Sequence, residues 1–325
     1  MPNLNPVQTN NQLLRNAFGK SAVLVRAILE VLLIAATVGT YLTLNGMFAE
    51  IIRIINSVMS DSGTTLPENV LLSSLIPSMI ATAIPMILTA AAYFIIYGKS
   101  RSSSPNARSD TGFIILNIFA ILKLIGTVII SGIGIAAGVI ILIKQPESFK
   151  NNKAIGIVVP IAVIAVFVFI LIFAIVYKMY IGSVRKTAKT AELCNSGAKA
   201  YGVFSILFAI ISFFNVLLSL GLVLLHKKLY DMVRDLVSSA ASEQIGSFLS
   251  NSGSWFYLTL LFSALVTFVI YIVDAKIALG YNNCIKEARY RGAGNPPAND
   301  GFYSSDTQPA AERKKRGYGD RFIED

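Results

Sequence analysis

Long apolar stretches separated by short polar segments organise this chain. Six of them, near 22–47, 70–97, 113–143, 154–180, 201–225 and 255–281, are long enough to cross a hydrocarbon core, which takes about 20 residues of helix. Val158–Ile175 is apolar without interruption, whereas the strands of a membrane barrel alternate over about 10 residues. The pattern therefore predicts helices. Turn-forming runs such as Ser60-Asp61-Ser62-Gly63 and Ser102-Ser103-Ser104-Pro105 separate them. The expected fold is all-α, a polytopic membrane bundle of about six transmembrane helices. It divides into an N-terminal segment over 1–20, a transmembrane domain over 21–291 and a tail over 292–325.

Two segments between spans carry a different period. In Lys228–Ser250 the residues Leu229, Met232, Val233, Leu236, Val237 and Ala240 recur at helical spacing, with Asp231, Arg234 and Asp235 between them. Ala49–Ser60 surrounds Glu50 and Arg53 with Ile51, Ile52, Ile54, Ile55 and Val58. Both read as amphipathic helices that lie in the headgroup plane or prolong the preceding span. The tail from Gly292 onward is rich in Gly, Pro, Ser and Asp and is expected to be disordered. Its run Arg313-Lys314-Lys315-Arg316 sits among acids and reads as a solvated charge run.

The even-numbered spans end alike: Phe94-Ile95-Ile96-Tyr97-Gly98, Lys178-Met179-Tyr180-Ile181-Gly182 and Lys276-Ile277-Ala278-Leu279-Gly280. This internal repeat predicts three tandem helical hairpins, each returning to a glycine at the same membrane surface.

Composition strengthens the membrane reading and then orients it. Apolar residues make up 54% of the 325 residues, charged residues 14%, and the mean hydropathy is +0.63; soluble domains carry about 25% charged residues. The net charge of +10 is thus a matter of location, because Lys and Arg concentrate on the cytoplasmic side of membrane proteins. With the N-terminus inside, Arg15, Lys20, Lys99, Arg101, Arg108, Lys178, Arg185, Lys186, Lys189, Lys199, Lys276, Lys286, Arg289 and Arg291 fall inside. Only Arg53, Lys144, Lys150, Lys153, Lys227, Lys228 and Arg234 fall outside. Both termini are therefore expected in the cytoplasm, in a cell membrane, with the bilayer as the first partner and no role for nucleic acid. Two cysteines, Cys194 and Cys284, are too few for a disulfide framework. The absence of any Asn-x-Ser/Thr sequon agrees with a bacterial inner membrane.

Ionisable and polar groups inside spans are costly and mark candidate sites. Here they are Arg26, Glu30, Asn117, Lys123 and Asn215. Arg26 and Glu30 stand four apart on one helical face and are expected to pair. Lys123 lies ten residues into an overlong span. The favoured reading makes Thr111–Leu122 an interfacial helix with Lys123 at the inner boundary; the alternative buries Lys123 beside an acid. Asp274 and Lys276 are expected at headgroup level. Gly134 and Gly138 form a Gly-x-x-x-Gly that allows close helix approach, within the monomer or in self-association. Pro77, Pro85 and Pro160 fall inside spans and can kink them. His226 stands alone, and no nucleophile, phosphate-binding or metal-ligand motif accompanies it, so no cofactor and no catalytic activity are expected.

Three two-helix units in a basic chain resemble the mitochondrial carrier architecture. That family ends its odd-numbered spans with Pro-x-Asp/Glu-x-x-Lys/Arg, however, and Pro146-Glu147-Ser148-Phe149-Lys150 has its charges at other offsets. The carrier reading is excluded on the motif. What remains is a non-catalytic membrane protein acting as an assembly, scaffold or accessory subunit through helix packing and contacts with other membrane proteins. The alternative is a small transporter or channel with its path between the hairpins.

Overall fold

The computed structural model describes residues 6–59, 70–102, 110–144, 153–190, 192–236 and 239–292. The expected disordered tail beyond Gly292 and the turn segments at 60–63 and 103–105 lie outside them. The described residues form seven helices: α1 (Pro6–Phe18), α2 (Ser21–Met59), α3 (Val70–Arg101), α4 (Asp110–Lys144), α5 (Lys153–Lys189), α6 (Ala198–Leu236) and α7 (Ser239–Gly292). All but α1 hold a stretch long and apolar enough to cross a membrane, so the chain is a multi-pass helical membrane protein. The described residues up to Lys286 form one compact unit, and Glu287–Gly292, the end of α7, falls outside it.

The spans are long, 27 to 37 residues, or about 40–55 Å at 1.5 Å per residue. Ala49–Met59 continues α2 and Lys228–Leu236 continues α6, so both amphipathic stretches begin as prolongations of spans. Pro77, Pro85 and Pro160 are accommodated inside α3 and α5, as neighbouring helices in a bilayer allow. Two expectations change. Thr111–Leu122 is no separate surface helix: α4 runs unbroken from Asp110, and Phe113, Leu116 and Ala120 are buried in the core. Nor are Gly98, Gly182 and Gly280 hairpin ends, because α3, α5 and α7 continue past them to Arg101, Lys189 and Gly292.

Packing is uneven along the bundle. At the end that carries α1, Leu14, Phe18, Val23, Ile96, Phe113, Leu116, Ile181, Val184, Tyr281 and Ile285 form a close core. Phe18 meets Phe113 edge-on with ring centres 4.9 Å apart, and Arg15 donates to the Ser102 carbonyl at 2.6 Å. We call this the proximal end. Toward the distal end the outer faces are apolar and open: Ile133, Ile143, Phe214, Leu218 and Leu224 are all exposed. Bilayer lipid is the solvent that such faces require.

Glycine sets two of the helix contacts. Along α3 and α4, a Cβ at Gly112 would lie 2.7 Å from the Ala92 carbonyl oxygen. Along α4 and α5, a Cβ at Gly134 would overlap the Phe167 ring and one at Gly138 would lie 2.7 Å from Ile164. The Gly-x-x-x-Gly face is thus filled by α5 of the same chain, which Ser131 reinforces by donating to the Phe167 carbonyl at 3.2 Å. Gly134→Ala is expected to cost about 1–3 kcal/mol through overpacking, read as a lower melting temperature in detergent. Gly132→Ala, which meets nothing within 4 Å, should leave that temperature unchanged or raise it.

Candidate functional site: a buried ionic network

The first and last spans meet through charge. Arg26 on α2 donates from Nε to Asp274 Oδ1 on α7 at 2.7 Å, and from its NH1 nitrogen to Glu30 Oε2, one turn along α2. Tyr201, near the start of α6, donates to the second oxygen of Asp274 at 3.1 Å. The guanidinium plane lies over the Tyr93 ring of α3, 4.9 Å from its centre. Arg26, Glu30 and Asp274 are 7%, 6% and 5% exposed. Four helices therefore meet in one network. Each buried ion costs several kcal/mol to desolvate, and only close, well-bonded partners offset that; here each charge has one.

Aromatic rings wall the network. Tyr201 is stacked between Tyr180, at 5.1 Å and 13°, and Phe173, at 5.5 Å and 24°. Phe173 and Tyr177 in turn receive the Lys123 ammonium, whose nitrogen lies 5.6 and 5.5 Å from their ring centres. Cation–π attraction of this kind contributes about 0.5–2 kcal/mol, more as water is excluded. Lys123 itself keeps an exposed side chain. One layer nearer the proximal end, Lys178 on α5 donates to Asn117 Oδ1 on α4 at 3.0 Å.

The connection between α5 and α6 is fastened to α7 beside this layer. The hydroxyls of Thr187 and Tyr281 lie 2.9 Å apart, Tyr281 also donates to the Cys194 carbonyl, and the Cys194 amide donates to Thr187 at 3.0 Å. Asn195 donates to Asn282 at 2.8 Å. Gly197 makes the turn into α6 with φ of +77°, a conformation in which a Cβ is strained. At the surface, Lys186 bonds Glu192 at 2.5 Å, and that hydrogen bond holds the Glu192 carboxyl below the usual carboxylate range.

Of the residues singled out in the sequence, Arg26 and Glu30 form the pair that their spacing predicts. Asn117 and Lys123 lie in neighbouring layers, each with its own partner. Asn215 is elsewhere, exposed on α6, 14 residues and about 21 Å along the helix from Tyr201. Asp274 is corrected outright: it is buried and shared between Arg26 and Tyr201 rather than solvated at headgroup level. No local signal marks it, because its partner on α2 stands 248 residues away in the chain. His226 bonds the Val223 carbonyl of its own helix through Nδ1 at 2.6 Å. Among the described residues no three His, Cys, Asp or Glu side chains converge as a metal site would require.

The fold and this network define a multi-pass helical membrane protein whose first and last spans are joined by buried ions. No family model, curated protein or solved structure matches the chain.

Proposed function

We propose that the chain is a non-catalytic membrane subunit that works through helix packing and contact with other membrane proteins, as an assembly, scaffold or accessory component. The observation that carries this reading is the closure of the ionic network. Arg26 is shared by two carboxylates, the second oxygen of Asp274 is taken by Tyr201, and Tyr93 covers the guanidinium. Groups used in this way tie helices together, and they leave the apolar outer faces of α4 and α6 to meet partners.

In this reading both termini face the cytoplasm of a bacterial cell membrane, and the six spans are three tandem hairpins. The amphipathic stretches near 49–60 and 228–250 lie at the opposite surface. The distribution of Lys and Arg supports the orientation. The helical rise supports the depth: Trp255 to Asp274 is 19 residues of α7, about 28 Å, close to the hydrocarbon thickness of about 30 Å. The network then lies just inside the cytoplasmic boundary, a depth at which a paired arginine is tolerable.

A transporter is the second reading, favoured by the Lys123 ammonium held among rings beside the network. One experiment separates the two. The protein is reconstituted into vesicles loaded with a pH-sensitive dye and potassium, and proton and cation flux are followed under an imposed potential. The subunit reading expects traces equal to those of protein-free vesicles. Flux that disappears in Lys123→Ala or Asp274→Asn, with the fold intact, would overturn it in favour of transport.

A further inference from the structure

A second feature lies on the other side of α6 and α7, where the two helices border a groove in two parts. The proximal part is a cavity of about 590 Å³ lined by Lys199, Lys286, Asn195 and Asn282, with Val203 and Phe204 at its inner edge. The deeper part, about 490 Å³, is lined almost wholly by apolar side chains, among them Ile206, Ile210 and Phe213 of α6 and Phe268, Ile272 and Leu279 of α7. The two are one stripe. Residues 199, 203, 206, 210 and 213 repeat at three- and four-residue steps along α6, and residues 268, 272, 275, 279, 282 and 286 do so along α7. At the join α6 and α7 come close: a Cβ at Gly202 would lie 2.7 Å from Leu279.

Charge and length decide the occupant. Two lysines border the proximal cavity, and α6 starts beside it at Ala198, so the positive end of the helix dipole adds to them. Asn195 and Asn282, already bonded to each other, supply further polar atoms. Lys199 to His226 is 27 residues, about 40 Å, which matches a bilayer of about 40–45 Å including headgroups. Lys199 therefore stands at headgroup level, and Lys286 borders the same cavity. From Lys286 to Phe268 is 18 residues, about 27 Å, long enough for a headgroup and an acyl chain of one leaflet. A soluble anion would use only the first part of this groove.

We infer that the α6–α7 groove holds one anionic phospholipid, its phosphate between Lys199 and Lys286 and an acyl chain along Ile206, Ile210 and Phe213. Basic pockets between transmembrane helices suit such headgroups. The inference does not depend on the role of the ionic network.

The test uses the purified full chain, delipidated in detergent and titrated separately with phosphatidylglycerol and phosphatidylcholine, with bound lipid counted by native mass spectrometry. One phosphatidylglycerol is expected to be retained at least about tenfold more tightly than phosphatidylcholine. Lys199→Gln and Lys286→Gln should each weaken phosphatidylglycerol about fivefold and together about 30-fold, at about 1 kcal/mol per lysine. Both side chains are exposed, so both variants keep the fold. Ile210→Trp, which fills the apolar part, should weaken both lipids. Equal retention of the two lipids would overturn the inference. So would an equal effect of Lys186→Gln, whose lysine bonds Glu192 on the same surface, because attraction would then be diffuse. Displacement of phosphatidylglycerol by millimolar inorganic phosphate would reassign the cavity to soluble anions.

Discussion

Arg26→Leu is expected to lower the free energy of unfolding by about 3–5 kcal/mol, because it leaves Asp274 and Glu30 as buried charges without their common partner. The measurement is denaturant titration in mixed micelles, followed by the fluorescence of Trp255, the one tryptophan of the chain. The informative comparison is the triple replacement Arg26→Leu, Glu30→Leu, Asp274→Leu. A buried ionic group exchanged for apolar side chains is often neutral or stabilising, so the triple variant should recover most of the loss. Recovery would mark the network as a clasp between first and last spans. A single variant as stable as the parent would show that the carboxylates do not depend on Arg26.

Gly197→Val should be nearly as costly, for a different reason. At φ of +77° a side chain is strained by about 1–2 kcal/mol. The added Cβ would also lie 2.9 Å from both Met179 Cβ and the Tyr180 amide nitrogen of α5, neither of which can swing away. Overpacking of that kind adds about 1–3 kcal/mol. The strain falls on the connection that Thr187, Cys194 and Tyr281 fasten, so the Cys194 thiol should be alkylated faster than in the parent. Gly280→Ala, at a helical position with nothing within 4 Å, should instead stabilise by about 0.5–1 kcal/mol. If Gly197→Val melted and reacted like the parent, the close seat of this turn against α5 would be wrong.

The spans were readable because each is a local fact: 20 or more apolar residues announce a crossing wherever they occur. The pairing of Arg26 with Glu30 was readable for the same reason, since four residues is one helical turn. Asp274 was hidden by distance. Nothing near it in the chain reveals that α2 brings a guanidinium to it, and its place near the end of the apolar run suggested headgroups. Tyr201 was hidden by type, because a tyrosine at the start of a span ordinarily marks an interface rather than a donor to a buried acid. The return glycines misled in the other direction. They are similar in sequence, yet the helices run through them, because a glycine inside a membrane helix need not end it. The overlong third span proved to be one helix whose first three turns belong to the proximal core, a distinction that apolar periodicity alone does not draw.

The 248 residues that separate Arg26 from Asp274 also set an order of events during synthesis. At about 5–20 residues per second, the ribosome takes roughly 12–50 s to travel from one to the other. Through that interval the first span rests in the bilayer with its eventual long-range partner still unmade. Glu30, added within the same helical turn, is at hand from the start, so the nascent span enters as a neutral couple rather than as a naked cation. The neighbouring carboxylate acts as an escort while the chain is being made. Asp274 arrives last, and by taking the other side of the guanidinium it draws the final span in beside the first.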